Sequence, residues 1–363
     1  MADSDWTRTR VSARLGIRYP IIQGALGGLA SQRLTAAVSN FGGLGSFGAL
    51  AMPPSALQEV IAELRSLTDR PFAVNLWVSM QDEAALAVDE AAWRRNAAAL
   101  APLVESLGGT LPSYVRYAPA SFEARARVLI DARVPAFSFV FGIPPAEILD
   151  ECRAREIVTL GSATTPEEAL ALERARVDVI VAAGFEGGGH RGSFLRPTEE
   201  SLFGTLALVP RVRSSVSAPV VAAGGIADAR GIVAALALGA EGVQLGTAFA
   251  ACEESGASPL YRAALLGGKA GQTVLTRAFT GRFGRGIANR LFESLSASGV
   301  EPLPYPLQRQ LVQSLSAAAE QAGRPEWMPM WAGQSASLLE HGKARELLQD
   351  LVSGVSQWPR AEP

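Results

Sequence analysis

Only two histidines occur in the chain, and one of them, His190, stands in the run Gly184-Phe185-Glu186-Gly187-Gly188-Gly189-His190-Arg191-Gly192, directly after the apolar stretch VDVIVAA (177–183). An imidazole titrates near neutrality and suits proton transfer. Consecutive glycines let main chain approach a flat ligand closely and leave unhindered N–H donors. The plainer reading of the same residues is a solvated glycine loop with an incidental histidine. His341, in the charged stretch LLEHGKAREL, reads as a surface residue.

Two further glycine motifs follow apolar runs: Gly224-Gly225-Ile226 after VVAA, and Gln244-Leu245-Gly246-Thr247 after EGV. Backbone N–H groups at such turns, with the Thr247 hydroxyl, are the material of a phosphate site. Near the N-terminus, Gln23-Gly24-Ala25 and Asn75 put amides at the ends of apolar strands. A buried amide needs hydrogen-bond partners. A heteroaromatic ring with carbonyl and imide edges would supply them, and so would neighbouring strand ends. The GxGxxG at 43–48 lacks the strand before it and the helix within it that a dinucleotide fingerprint requires, so tight packing explains it better. Cysteine and histidine never fall at zinc-ligand spacing, and neither a GxSxG elbow nor a Walker loop is present. Arg277, Arg282, Arg285 and Arg290 cluster in TRAFTGRFGRGIANR, either to attract an anion or as a solvated face.

These residues need elements to hold them. Eight β-rich apolar runs, at 19–24, 42–48, 71–78, 136–142, 155–162, 177–184, 218–225 and 240–247, alternate with helical stretches. Their continuous apolar character suits parallel strands buried on both faces. Helix punctuation is legible: a capping box at Thr165-Pro166-Glu167-Glu168, an Asp228 cap with Gly239 as terminator, and Ser258-Pro259 opening LYRAALL. The α/β pattern predicts a (β/α)8 TIM barrel, with an open doubly wound sheet as the structural alternative. Residues 1–268 are read as the barrel, with a helical insertion at about 79–135. Residues 269–363 are read as a mainly helical cap or substrate region.

The chain has 363 residues and a net charge of −2, with nearly half its side chains hydrophobic. That supports a folded protein and argues against a nucleic-acid or anionic-membrane partner. Two cysteines suggest a reducing compartment. Without a signal-like start or a membrane-length apolar run, the expected location is cytoplasmic. Oligomeric state is unreadable at this level.

Taken in order and spacing, QGALGG, PFAVNLWV, GFEGGGHRG, VVAAGGIAD and GAEGVQLGT resemble the nitronate monooxygenase family, formerly 2-nitropropane dioxygenases. TRAFTGRFGRGIANR, PYPLQRQL and MWAGQSASL resemble the C-terminal part of its longer bacterial members. The resemblance implies an FMN-binding barrel that oxidises alkyl nitronates with O2, giving a carbonyl compound and nitrite. By position, Gln23, Gly24 and Ala25 would line the flavin and Asn75 would bond its ring edge. Gly188, Gly225 and Gln244, Leu245, Gly246 and Thr247 would hold the ribityl phosphate. His190 matches the active-site histidine, acting near the flavin as a cation toward the nitro group or as a base. Tyr305 and Arg309 stand where longer members carry a tyrosine and a lysine, and would meet substrate. Ala183 replaces a frequent glutamine, and Gly187 replaces an alanine. Flavin-dependent NAD(P)H reductases, of the enoyl-acyl-carrier-protein or quinone type, share the glycine–histidine motif and form the alternative. A non-catalytic FMN- or phosphometabolite-binding barrel is the third reading.

Overall fold

Short runs of valine, isoleucine and alanine cannot alternate with solvent when both faces are apolar, so they pair in parallel and are covered by helices. The computed structural model, which describes residues 5–79, 82–118 and 121–358, has this arrangement. In chain order the strands are β1 (Ile21–Gln23), β2 (Gly45–Gly48), β3 (Phe72–Trp77), β4 (Ala136–Val140), β5 (Val158–Ala163) and β6 (Val179–Ala183). They continue as β7 (Gly189–His190), β8 (Val220–Ala223), β9 (Gly242–Leu245), β10 (Thr273–Thr276) and β11 (Gly284–Ile287). Eight of them form one parallel sheet in the order β1-β9-β8-β6-β5-β4-β3-β2. A parallel bridge, Ile22 to Leu44, joins β1 to the chain entering β2 and closes the ring. The fold is a (β/α)8 TIM barrel, and all eight expected strands lie within it.

The two-residue period of a strand decides what faces inward. In β6, Val179 and Val181 join the interior cluster, while Ile180 and Ala182 pack under the helices. The interior also holds Ile22, Leu44, Leu160 and Val221, plugged from below by Val11 and Leu15 of the helix Arg10–Leu15. Continuing the inward parity to the C-terminal strand ends presents Asn75, Trp77, Ser138, Ser162, Ala183, Ala223 and Gln244 to the top of the barrel. Gln23 and Leu245 fall on the opposite parity, with Ile21 and Val243.

Local signals behave mostly as their chemistry predicts. Asp228 accepts from Gly231 N at 3.0 Å, Ser258 from Tyr261 N at 3.3 Å, and Thr165 from Glu168 N at 3.2 Å. Gly239 has φ of 94° after its helix. The capping box at Thr165 is not reciprocal, however. The Glu168 carboxylate, fully buried, accepts instead from Thr164 N and Oγ1 and from the N–H groups of Phe194 and Leu195. It fastens the loop after β6, giving the buried carboxylate four donors in place of the single N–H of a reciprocal cap. The 43–48 glycines are strand packing: a Cβ on Gly45 would fall 1.9 Å from Thr35 O.

Two segments depart from a plain barrel. After β3, a 3-10 turn (Glu83–Ala87) and the helix Glu90–Ser106 leave the barrel, and the barrel helix Phe122–Asp131 follows. The expected insertion at 79–135 therefore includes a helix that packs on the barrel. After β9 the chain runs through residues 246–343 before Ala344–Gln357 returns to pack between Gln32–Phe41 and Ala229–Ala237. That is the eighth helix position. A division at residue 268 assigns this helix to the cap, whereas Leu347, Leu348 and Leu351 are buried in the barrel's own outer core. Between its ends the excursion carries the hairpin β10–β11, not expected from a stretch read as mainly helical. Its helix Leu307–Gln321 shares an apolar cluster with Trp93, Leu100 and Val104 of the insertion.

Candidate active site

The inward ends of the strands surround a cavity of about 260 Å³ at the C-terminal mouth of the barrel. Enzymes with this fold place their chemistry there. Its floor and sides include Gly24, Ala25, Asn75, Ser138, Ser162 and Gln244. The roof comes from Leu275 on β10 and from Trp331, Gly333 and Ser335 of the excursion.

One side is built from main chain. Gly188, Gly225, Gly246, Thr247 and Gly333 converge on the cavity. Thr247 Oγ1 accepts from Gly333 N at 2.9 Å, and Ser335 Oγ donates to Gly225 O at 2.5 Å. The approach at Gly188 is so close that a Cβ there would lie 2.6 Å from Gly333 N. Glu186, the carboxylate of the glycine loop, accepts from Thr205 N at 2.8 Å and so starts the helix Thr205–Ser215. It is a loop anchor, not a proton-transfer group.

The other side is built from large side chains around His190. β7, which carries it, pairs antiparallel with β11, His190 opposite Gly284, so the loop after β6 is stitched to the excursion. His190 Nε2 lies 2.8 Å from Thr280 Oγ1. Trp331 and Trp77 approach the imidazole with ring centroids at 4.8 and 5.0 Å, Tyr305 at 5.7 Å and Phe141 at 6.4 Å. Burial pushes its pKa down to about 3, and the charges of Arg282 and Arg309 act in the same direction. The ring is therefore neutral at physiological pH, which argues against its serving as a fixed cation in the free site.

Arg282 stacks on Phe141 and Tyr305, at 4.5 and 4.9 Å from the ring centroids, and pairs with Asp82 at 2.7 Å. Asp82 also accepts from Tyr305 N at 3.0 Å, so the insertion fastens both groups. Burial raises the Tyr305 phenol pKa. Arg285 is buried against Phe185 and donates to Phe185 O at 2.9 Å. Arg277 pairs with Glu301, and Arg290 is exposed. The arginine cluster thus splits, two members joining the site's framework and two facing outward. His341 lies 3.4 Å from Asp350, away from the cavity.

Of the residues expected from sequence, Gly24, Ala25, Asn75, Gly188, His190, Gly225, Gln244, Gly246 and Thr247 come together on the cavity wall. Gln23 does not. Its Nε2 donates to Gly24 O and Ser46 O at 3.1 and 2.8 Å, and its Oε1 accepts from Ser46 N at 3.2 Å. Strand parity turns it outward, and it ties β1 to β2. Leu245 is turned away for the same reason and packs in the outer core. Tyr305 touches His190 from behind the wall, and Arg309 acts on it through its charge. Asn75 Nδ2 donates to Ser138 Oγ at 3.0 Å. Ser138, Ser162, Trp77 and Phe141 were missed by sequence reasoning. Their signal was position: Trp77, Phe141 and Ser162 lie at the C-terminal ends of runs recognised as strands, and Ser138 lies mid-strand on the inward parity. Ala183, where a glutamine is frequent, lines the cavity, and its carbonyl accepts from Arg191.

Among the described residues, no helix is long and apolar enough to cross a membrane. Comparison with known proteins gives this geometry a family. The nitronate monooxygenase family model matches residues 8–354. A probable nitronate monooxygenase of Staphylococcus aureus strain Newman is 39% identical over 355 residues, covering 97% of this chain and 98% of that protein. One from Staphylococcus haemolyticus is 40% identical over 352 residues, covering 96% and 98%. Among solved structures, nitroalkane oxidase from Streptomyces ansochromogenes superposes with a TM-score of 0.84 at 36% identity, covering 94% of this chain and 96% of that one. FabK from Thermotoga maritima superposes at 0.75 with 30% identity, covering 96% of each. With a barrel mouth of this make-up and a match along nearly its whole length, the chain belongs to the nitronate monooxygenase family, and it is an oxidoreductase.

Proposed function

We propose that the protein oxidises alkyl nitronates with molecular oxygen, with FMN as its cofactor. The residues present fit that group. The glycine corner brings the main chain of Gly188, Gly225, Gly246 and Gly333 together on the cavity, with Gly188 packed too closely on Gly333 to carry a Cβ, and backbone N–H groups gathered in this way suit a phosphate. Asn75, Ser138, Ser162 and Gln244 offer amide and hydroxyl groups for the edge of a polar ring. Gly24, Ala25, Gly188, Gly225, Gly246 and Thr247 would hold FMN, while Gln23 and Leu245 would support the wall from outside it. When bound, FMN supplies an acceptor for electrons from the nitronate and a route for them to O2, so that a carbonyl compound and nitrite result.

The chain's own residues account for the rest. Neutral His190 accepts the α-proton when the substrate arrives as a nitroalkane. Arg282 and Arg309 bias the site toward the anion that remains. Trp77, Phe141 and Trp331 exclude water from the reacting carbon. For the division of the chain, we propose a barrel of residues 10–78, 121–245 and 344–357, capped by 82–118 and 246–343.

The observation that carries this reading is His190, caged by aromatics at the wall of a glycine-lined cavity. The test is oxygen uptake by FMN-loaded protein with propionate 3-nitronate and no NADH. Rapid uptake with nitrite release is expected. A flavin-loaded protein that consumes no oxygen overturns the proposal. The likeness to FabK favours one alternative, an NAD(P)H-dependent reductase. Anaerobic bleaching of the flavin by NADH would then be the positive result.

A further inference from the structure

Thr280 sits in the turn between β10 and β11, where Thr280 N donates to Arg277 O at 3.2 Å and Gly281 N to the same carbonyl at 2.7 Å. Its side chain is buried and makes two contacts. One is to His190 Nε2 at 2.8 Å, the other to Arg282 O at 3.3 Å. A hydroxyl has one proton, and a carbonyl can only accept. Both contacts are satisfied together in one way: Thr280 donates to Arg282 O, and its oxygen accepts a proton from Nε2. We infer that Thr280 is a positioning residue that holds His190 in the Nε2–H tautomer, so that Nδ1 is the nitrogen that receives a proton from substrate.

The rest of the site agrees with that assignment. Among the described residues Nδ1 has no hydrogen-bond partner, and His190 forms part of the cavity wall. Of the rings packed around the imidazole, Trp77, Trp331 and Phe141 carry no acceptor, and Tyr305 meets it as a ring contact without a hydrogen bond among the described residues. The turn bearing Thr280 is pinned by Arg282, whose guanidinium is bonded to Asp82 and Ser79 of the segment after β3. The histidine therefore arrives from β7 and the threonine from the β10–β11 turn of one small sheet, and their relative position is set by the pairing of β7 with β11. The inference deepens the proposed oxidation, because it concerns the histidine to which that reading gives the proton.

The composition makes the test clean. With two histidines in the chain, ring-15N-labelled protein gives two imidazole spin systems, and His341→Ala removes one. In the wild-type protein at pH 7.5, His190 is expected to show a protonated, pyrrole-type Nε2 and a bare, pyridine-type Nδ1. Thr280→Val, close to isosteric, is expected to mix the two tautomers. It should lower kcat on the order of tenfold or more, with KM changed less than threefold, and Thr280→Ser should restore both. A wild-type proton on Nδ1 overturns the inference, as does a Thr280→Val variant with unchanged imidazole signals. The NMR signature is read without turnover, so failure of the nitronate assay and failure of this inference are separate results. Should Thr280→Val not fold, the wild-type and Thr280→Ser spectra still decide it.

Discussion

At the ends of β6, β8 and β9 the cavity wall is main chain, with glycines where a Cβ would strike a neighbouring strand end, and its side chains are small. Around His190 the wall is almost all side chain: two tryptophans, a phenylalanine and a tyrosine, with Arg282 stacked on Phe141 and Tyr305. The first wall rises from the barrel's own strand ends, with Gly333 and Ser335 bonded to it, and the second is fixed largely by the excursion after β9. They should therefore fail in opposite ways. The main-chain wall breaks when atoms are added, and the aromatic wall when they are taken away.

The largest effect is expected on the aromatic side. His190→Ala should lower turnover by a factor of about 10²–10⁴, the usual worth of a positioned proton-transfer group, while flavin content stays near wild type. Steady-state kinetics and the visible spectrum measure the two separately; a variant that loses flavin as well would erase the distinction between the walls. Next comes the main-chain side. Gly188→Ala forces the segment at Gly333 to move and should cost about 1–3 kcal/mol in urea unfolding, with flavin retention lost in parallel. A variant of wild-type stability and full flavin would show that this wall yields.

The third prediction uses pH. The folded state holds His190 near 3, while the unfolded chain takes up a proton at about 6.5. Between those values the unfolded state binds more protons, so stability falls as pH drops through the window. The wild type should lose up to about 2 kcal/mol more than His190→Ala between pH 7.5 and 5.0. Parallel pH curves for the two proteins would mean that the cage does not keep the imidazole neutral. The smallest effect lies far from both walls. Asp228→Ala removes a helix cap and should cost about 1 kcal/mol without changing turnover, and the cost should add to that of Gly188→Ala.

The barrel was legible because its strands are apolar on both faces, a pattern little else produces, and because caps such as Asp228 and Ser258 act locally. The main-chain wall was legible for a related reason: glycine clusters directly after strands mark where backbone must come close. Reading residue type without strand parity misplaced Gln23 and Leu245, since a polar strand-end residue points into the barrel only on alternate positions. The aromatic wall was half hidden. Trp77 and Phe141 lay on recognised strands, whereas Trp331, Thr280 and the β10–β11 hairpin come from a stretch whose pairing is set by tertiary contact. The strand GRGI, half glycine, carries no apolar period of its own, and its partner TVLT is too short to show one. Glu168 shows the same limit at a helix start, where its carboxylate binds Thr164 and the N–H groups of Phe194 and Leu195 instead of completing the local cap.

The return of Ala344–Gln357 to the barrel bears on how the molecule is made. Until that helix arrives, the groove between Gln32–Phe41 and Ala229–Ala237 stays open, with apolar surface that its leucines later cover. Trp6 Nε1 donates to Ser356 Oγ at 3.3 Å, so the two ends of the described chain are among the contacts made at closure. Contacts so distant in sequence form late and slow the folding of the whole. During synthesis residues 246–343 emerge ahead of that helix, and a newborn chain has the roof of its cavity in hand before the outer layer of the barrel is covered.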